Sequence, residues 1–201
     1  MILVITSVSP VKFEPEILSQ IARLDEVSYL HIRKYETPLN LIHEIIKAIP
    51  QKFHRKLILH SHHYLALRYN VGGWYLNRTI RRSPILTSLW KIKRKIYKNR
   101  IIATGLHKGD NPIKYSFVNY FLYSPVFHSI SKNGYGEGEP LEKPSVPQGI
   151  KVIALGGINE YTAIKAFEMG YDGVALSGYL WTANDPLSKL TTFLNIYNNI
   201  I

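Results

Sequence analysis

The sequence predicts an α/β chain folded as one small (β/α)8 barrel over residues 1–201, and three observations carry this. Eight short apolar runs recur along the chain. Most are near-continuous rather than alternating, as parallel strands covered on both faces require. Helical patterns separate several of the runs, and no repeat, low-complexity tract or linker divides the chain. A closed barrel and an open doubly wound sheet both satisfy this pattern taken alone.

The expected strands are Ile2–Thr6, Tyr29–Ile32, Lys56–Leu59, Trp74–Leu76, Ile101–Thr104, Tyr120–Tyr123, Val152–Leu155 and Gly173–Leu176. Thr37-Pro38 reads as an N-cap with proline at the first helical position, opening a helix over Leu39–Ile49. Leu86–Tyr97 is a basic helix. Asn159 caps Glu160–Met169, which stops at Gly170. Asp185-Pro186 opens a last helix through about Tyr197. The segments after the fifth and sixth strands are expected to be short or irregular. Lys132–Gln148, rich in Gly, Pro and Glu, reads as a loop.

Hydrophobic residues make up 46% and charged residues 19%, an ordinary globular composition. With no cysteine there is neither a disulfide framework nor a thiolate metal site, which fits a reducing cytosol, and a cytoplasmic location is expected. Met1–Thr6 is too short to span a bilayer and has no basic lead-in, so it reads as a strand. No later stretch is long and apolar enough for a span, and no membrane partner is expected. The net charge is +11, and no acidic residue lies between Glu44 and Asp110. That interval holds Arg78, Arg81, Arg82, Lys91, Lys93, Arg94, Lys95, Lys98 and Arg100. It suits nucleic acid, an anionic lipid surface or an anionic substrate; its ordinary reading is a solvated helix face. Nucleic acid is the weakest of these, because no recognised binding motif accompanies the charge.

In a βα barrel the chemistry sits at the strand C-termini, and a phosphate often lies on the loops after the last two strands. Here those ends carry Gly156-Gly157 and Ser177-Gly178. Glycine lets backbone N–H groups approach an anion, and a helix N-terminus adds partial positive charge. The alternative is that the glycines only make a tight turn. His31 and Arg33 share a face of the second strand, where Arg33 suits an anion. His60 and His62 share a face of the third, a spacing open to zinc, polar ring stacking or substrate contact. His107 follows the fifth strand. After the sixth come His128, Lys132 and Gly134–Gly138, a loop with the glycines of a mobile lid.

These residues resemble the thiamine phosphate synthase family, including its relative the TenI thiazole tautomerase. The resemblance rests on Tyr120–Lys132 (YFLYSPVFHSISK), Val152–Asn159 (VIALGGIN), Gly173–Pro186 (GVALSGYLWTANDP) and Tyr29–Arg33 (YLHIR). It implies a TIM barrel of thiamine biosynthesis. The synthase joins a pyrimidine methyl pyrophosphate to a thiazole phosphate and releases pyrophosphate, aided by magnesium and cationic side chains. The resemblance implies pyrophosphate contact for Arg33 and Lys132, and thiazole phosphate contact for Gly157, Ser177 and Gly178. The family's two magnesium-binding Asp motifs are replaced by His60-Ser61-His62 and Asn77-Arg78-Thr79-Ile80, so the hard oxygen ligands are missing. A synthase Lys becomes Tyr35, and a Ser becomes Gly105. On the tautomerase side the expected base position is Pro125, with His128 three residues on as an alternative acid or base. Three readings stay open: synthase, tautomerase, and a non-catalytic binder of thiazole or thiamine phosphate. A homodimer is left open.

Overall fold

Eight parallel strands close on themselves in sequence order, so that β8 (Gly173–Leu176) pairs with β1 (Ile2–Ile5). The computed structural model describes residues 1–128 and 139–198. The strands between these two are β2 (Val27–Ile32), β3 (Leu57–Leu59), β4 (Gly73–Leu76), β5 (Ile101–Leu106), β6 (Tyr120–Tyr123) and β7 (Lys151–Leu155). All eight lie where the apolar runs placed them. Closure decides between the two sheets that the pattern had left open. β5 runs two residues further than expected, because Gly105 and Leu106 keep pairing with Leu122 and Tyr123.

Four helices match the expected ones: α2 (Leu39–Ala48), α5 (Pro84–Ile96), α6 (Glu160–Glu168) and α8 (Pro186–Asn198). Asn159 caps α6 through a reciprocal capping box with Thr162. Asp185 accepts from the Leu187 and Ser188 amides at the start of α8. The expected Thr37 cap is corrected: Pro38 occupies the cap position with no side-chain hydrogen bond, and Thr37 is buried. α5 begins two residues early because Ser83 caps it and Pro84 opens it. Unanticipated are α1 (Glu14–Arg23) and the short α3 (Leu65–Arg68), α4 (Arg78–Arg82) and α7 (Gly178–Trp181). After β5 there is only a 3₁₀ turn at Pro112–Tyr115, and residues 139–150 form neither helix nor strand.

Residues two apart on a strand face the same way. Leu3, Ile5, Ala103, Tyr120, Leu122, Ile153 and Ala175 thus fill the barrel interior, with Tyr29, Tyr75 and Leu155 packed against them. The intervening residues, such as Leu30, Ile32, Val152 and Val174, face the helices in a second, larger core. Among the described residues no helix is long and apolar enough to cross a membrane.

Candidate active site

The C-terminal end of the barrel opens into a cavity of about 590 Å³. Its wall takes residues from the ends of all eight strands, among them Arg33, His60, His107, Gly156, Gly157, Ser177 and Gly178. Two sides of this mouth are built from different material.

The side formed by β7, β8 and β1 is shaped by two glycine-bearing turns, with Tyr179 and Trp181 beside them on the wall. Gly156 and Gly157 take φ of +96° and +65°, a region that costs other residues strain. A Cβ on Gly157 would lie 2.2 Å from the His128 carbonyl oxygen, and one on Gly156 would lie 2.9 Å from the Pro125 Cα. The pair therefore makes the tight turn and lets the chain after β6 close over it. The N–H groups of Gly156, Gly157, Ser177 and Gly178 meet no acceptor among the described residues, although all four residues line the cavity. Thr162 Oγ1 holds the Gly157 carbonyl at 2.8 Å, tying the turn to the start of α6.

The side formed by β2, β3 and β4 is made of rings and one guanidinium. The shared face of His31 and Arg33 puts Arg33 on the cavity wall and His31 one pleat deeper, in the barrel interior. There His31 does not touch the cavity, which departs from its expected substrate contact. Its Nδ1 meets His60 Nε2 at 2.9 Å, and its Nε2 meets the Tyr120 hydroxyl at 2.7 Å. His60 Nδ1 reaches the Tyr35 hydroxyl at 3.1 Å. Its ring stacks on Tyr75, centroids 4.0 Å apart. Burial pushes His31 down to about 3. Burial, helped by the nearby His31, Arg33 and His63, lowers His60 well below the imidazole range. Burial raises Tyr35, Tyr75 and Tyr120, so every ring is neutral at pH 7. Polarity follows from satisfaction. The buried Tyr120 hydroxyl has no other partner among the described residues, so it donates to His31. His31 then donates to His60 and His60 to Tyr35, leaving the Tyr35 hydrogen for the cavity.

Arg33 is held by its backbone N–H, which donates to Thr6 Oγ1 at 2.8 Å. Its guanidinium has no carboxylate partner among the described residues. Next to it Lys34 points the other way and is fully buried against Glu14 at 2.8 Å, also reaching the Ser9 carbonyl at 3.0 Å. That pair fixes the β1–α1 loop, whose Ser7 and Ser9 line the mouth.

His107 lines the cavity and donates from Nδ1 to the Ser124 carbonyl at 2.7 Å. This fixes the tautomer and leaves Nε2 able to accept a proton. Asp110 accepts from the His107 amide at 3.0 Å and pairs with Arg81 at 3.1 Å. Partial burial would raise that carboxyl, but these contacts outweigh it and hold it below the usual range.

The other expected site residues separate. His62 has φ of +48°, which turns it out of the strand, and it packs edge-on against Tyr64 rather than beside His60. His128 is exposed and lies off the cavity wall. Lys132 and the Gly134–Gly138 loop lie outside the described residues. The residues at the ends of β3 and β4 do not fit magnesium. Both nitrogens of His60 are engaged, Asn77 caps α4 through its side chain, and Asp110 is committed to Arg81. No cluster of three or more His, Asp or Glu among the described residues is placed to hold an ion. Sequence reading passed over Tyr75 and Tyr120; alternation along β4 and β6 was the available signal.

The comparisons with known proteins agree with the barrel fold. A family model described as thiamine monophosphate synthase matches residues 2–180. A thiamine-phosphate synthase from Clostridium acetobutylicum is 23% identical over 167 residues, covering 81% of this chain and 74% of that protein. One from Pelagibacter ubique is 25% identical over 164 residues, 78% of this chain and 76% of that one. A thiamine phosphate pyrophosphorylase from Pyrococcus furiosus has the same fold, with a TM-score of 0.69 at 20% identity over 100% of this chain and 96% of that one. With the family match spanning both the strand ends of the mouth and most of the barrel, the chain belongs to the thiamine monophosphate synthase family.

Proposed function

We propose that the barrel mouth binds a thiazole phosphate and that the chain couples it to a hydroxymethylpyrimidine pyrophosphate, giving thiamine phosphate and pyrophosphate. One observation carries the binding half. The amide N–H groups of Gly156, Gly157, Ser177 and Gly178 share a cavity with the Arg33 guanidinium, and among the described residues the amides meet no acceptor and the guanidinium no carboxylate. Oriented amides and an unpaired cation are what a phosphate ester needs. The coupling half rests on the family. Loss of pyrophosphate builds negative charge on the leaving group, and a fixed guanidinium stabilises that charge without reorganising. Lys132 is proposed as a second cation there. His107, with its fixed tautomer, is the group on the wall able to take or give a proton. The donor set does not fit magnesium, so the coupling is proposed to rest on side-chain cations alone.

A second reading follows from the same mouth. The ends of β3 and β4 carry neutral rings rather than carboxylates, and a proton-carrying imidazole stands at His107. Those features suit isomerisation of a non-aromatic thiazole phosphate tautomer. The deciding experiment incubates the purified chain with both coupling substrates, with and without magnesium, and separately with the tautomer. Thiamine phosphate formed without magnesium supports the first reading, and aromatised thiazole phosphate alone supports the second. Calorimetric binding of thiazole phosphate without turnover leaves a non-catalytic binder, and no heat at all removes the binding half.

A further inference from the structure

Outside the mouth, α5 is amphipathic in an unusual sense. It packs on the barrel through Thr87 and Trp90, which are buried. At about 100° per residue, Ile85, Leu89, Ile92 and Ile96 fall in a single stripe on the opposite side of the helix. They are 75%, 49%, 55% and 66% exposed. A surface helix ordinarily keeps its apolar stripe for the core and its polar face for water. Here a second apolar stripe faces outward. Lys91 and Lys95 border it on one side, both exposed; on the other is Lys93, also exposed, whose ammonium lies 4.4 Å from the Trp90 ring centroid. Exposed Arg82 precedes the helix and exposed Lys98 follows it.

The acid-free interval is therefore not one solvated face. Arg81 is buried against Asp110, Arg94 holds the Lys98 and Arg100 carbonyls, and Arg100 reaches Asn70. Those cations are structural. Exposed Lys91 and Lys95 lie on α5 itself, beside the apolar stripe.

We propose that α5 is a docking helix for an anionic lipid surface. It lies in the plane of the interface, with the four isoleucine and leucine side chains in the headgroup boundary and the lysines on lipid phosphates. Thirteen residues rise about 20 Å, too short to cross the hydrocarbon, so the helix lies on the bilayer and does not span it. This corrects the expectation of no membrane partner, since a helix can lie on a membrane without spanning it. Charge selects among occupants. A second copy packed stripe to stripe sets lysine against lysine, with no acid in the interval to answer it. A nucleic acid answers the lysines but leaves the aliphatic stripe unmatched. An anionic bilayer answers both. The proposal is independent of the chemistry at the mouth.

Co-sedimentation of the full chain with vesicles tests it. Binding to an equal mixture of phosphatidylcholine and phosphatidylglycerol is expected, with little to phosphatidylcholine alone, and it weakens as salt is raised. Ile92→Ser with Ile96→Ser lowers partitioning at least about ten-fold, because each substitution removes apolar area from the interface. Lys91→Ser with Lys95→Ser lowers it by a similar factor, at roughly five-fold per lysine. Both pairs are exposed, and circular dichroism with an unchanged melting temperature confirms the fold. No binding, or equal binding to neutral vesicles, overturns the proposal. So does a homopolymer RNA that binds the Ile92→Ser variant as well as the parent chain while vesicles bind neither. A dimer that Ile92→Ser dissociates, with no vesicle binding by the parent, overturns it in favour of a second copy.

Discussion

The two sides of the barrel mouth differ in what they are made of. The β7–β8–β1 side presents backbone, shaped by glycines whose conformation few other residues tolerate. The β2–β3–β4 side presents side chains: Arg33, and a chain of four hydrogen-bonded groups running from Tyr35 through His60 and His31 to Tyr120. Backbone recognition of phosphate depends on little beyond turn geometry, so it survives wide changes in sequence. Side-chain chemistry does not, and the departures from the family's magnesium motifs fall on that side. The glycine-turn side is the one proposed to bind phosphate, and the ring-filled side is where the sequence resemblance breaks.

The largest expected effect comes from the pair that ties the two sides together, Lys34 after β2 and Glu14 at the start of α1. Lys34 and Glu14 are both essentially inaccessible to water. Glu14→Ala leaves a buried ammonium with only the Ser9 carbonyl, and breaking such a pair costs about 3–5 kcal/mol. Chemical denaturation measures this. A loss below about 1 kcal/mol breaks the claim that the pair fixes the β1–α1 loop.

Gly157→Ala strikes the backbone side. Its positive φ alone costs roughly 1–3 kcal/mol, and the approach of its Cβ to the His128 carbonyl adds to that. Thiazole phosphate binding is expected to vanish while Arg33 and the rings stay in place. An alanine variant that binds normally sinks the idea that this turn forms the phosphate site.

The rings make a pH prediction. His31 is pushed down to about 3 and His63 to about 4, and His60 shifts the same way, all three mainly by burial. Each binds a proton more weakly folded than unfolded, where imidazole titrates near about 6.5. Between those values the unfolded chain holds more protons, so stability rises with pH. It is complete above about 6.5 and is lost as pH falls toward about 3, by up to ~1.4 kcal/mol per pH unit for each ring. Melting temperature across that window reads the slope. His31→Gln is expected to flatten it; an unchanged slope means the buried rings do not control acid stability.

Most of the barrel was legible in sequence because parallel strands covered on both faces leave continuous apolar runs, and caps such as Asn159 and Asp185 are local. The short helices were not legible: α3, α4 and α7 have four or five residues each, too few for a 3.6-residue period to show. At the mouth, Gly156-Gly157 and Arg33 could be placed from strand ends and alternation. His31 could not be placed in depth, because alternation gives direction and not layer. The pairing of His60 with His62 failed because β3 ends at Leu59, so the period-two rule no longer applied.

Arg33→Gln separates the two sides by charge. It removes the one cation on the described part of the cavity wall while keeping a hydrogen-bond donor. A charge-assisted hydrogen bond contributes about 1.5–3 kcal/mol, so thiazole phosphate affinity is expected to fall roughly 10- to 100-fold. Titration calorimetry checks this. An unchanged affinity would assign phosphate binding to the amides alone and leave Arg33 to the leaving group.

The smallest effect is the most specific. In the order Tyr120 to His31 to His60 to Tyr35, the only hydrogen left for the cavity is that of the Tyr35 hydroxyl, 3.1 Å from His60 Nδ1. Tyr35→Phe removes it, and the His60 N–H, buried beneath, loses its acceptor. A neutral hydrogen bond contributes about 0.5–1.5 kcal/mol, so ligand affinity should drop by no more than roughly ten-fold, with a small loss of stability. The reverse polarity has Tyr35 donating to His60, His60 to His31 and His31 Nε2–H to Tyr120, with the Tyr120 hydrogen buried and without an acceptor. Tyr120→Phe costs stability in either direction, because His31 Nε2 loses its partner. The imidazole tautomers decide between the two. Nitrogen-15 NMR that finds His31 and His60 protonated on Nδ1 supports donation running from Tyr120 out to Tyr35. Protonation of both rings on Nε2 reverses the chain and turns Tyr35 from a donor toward the ligand into one committed to His60.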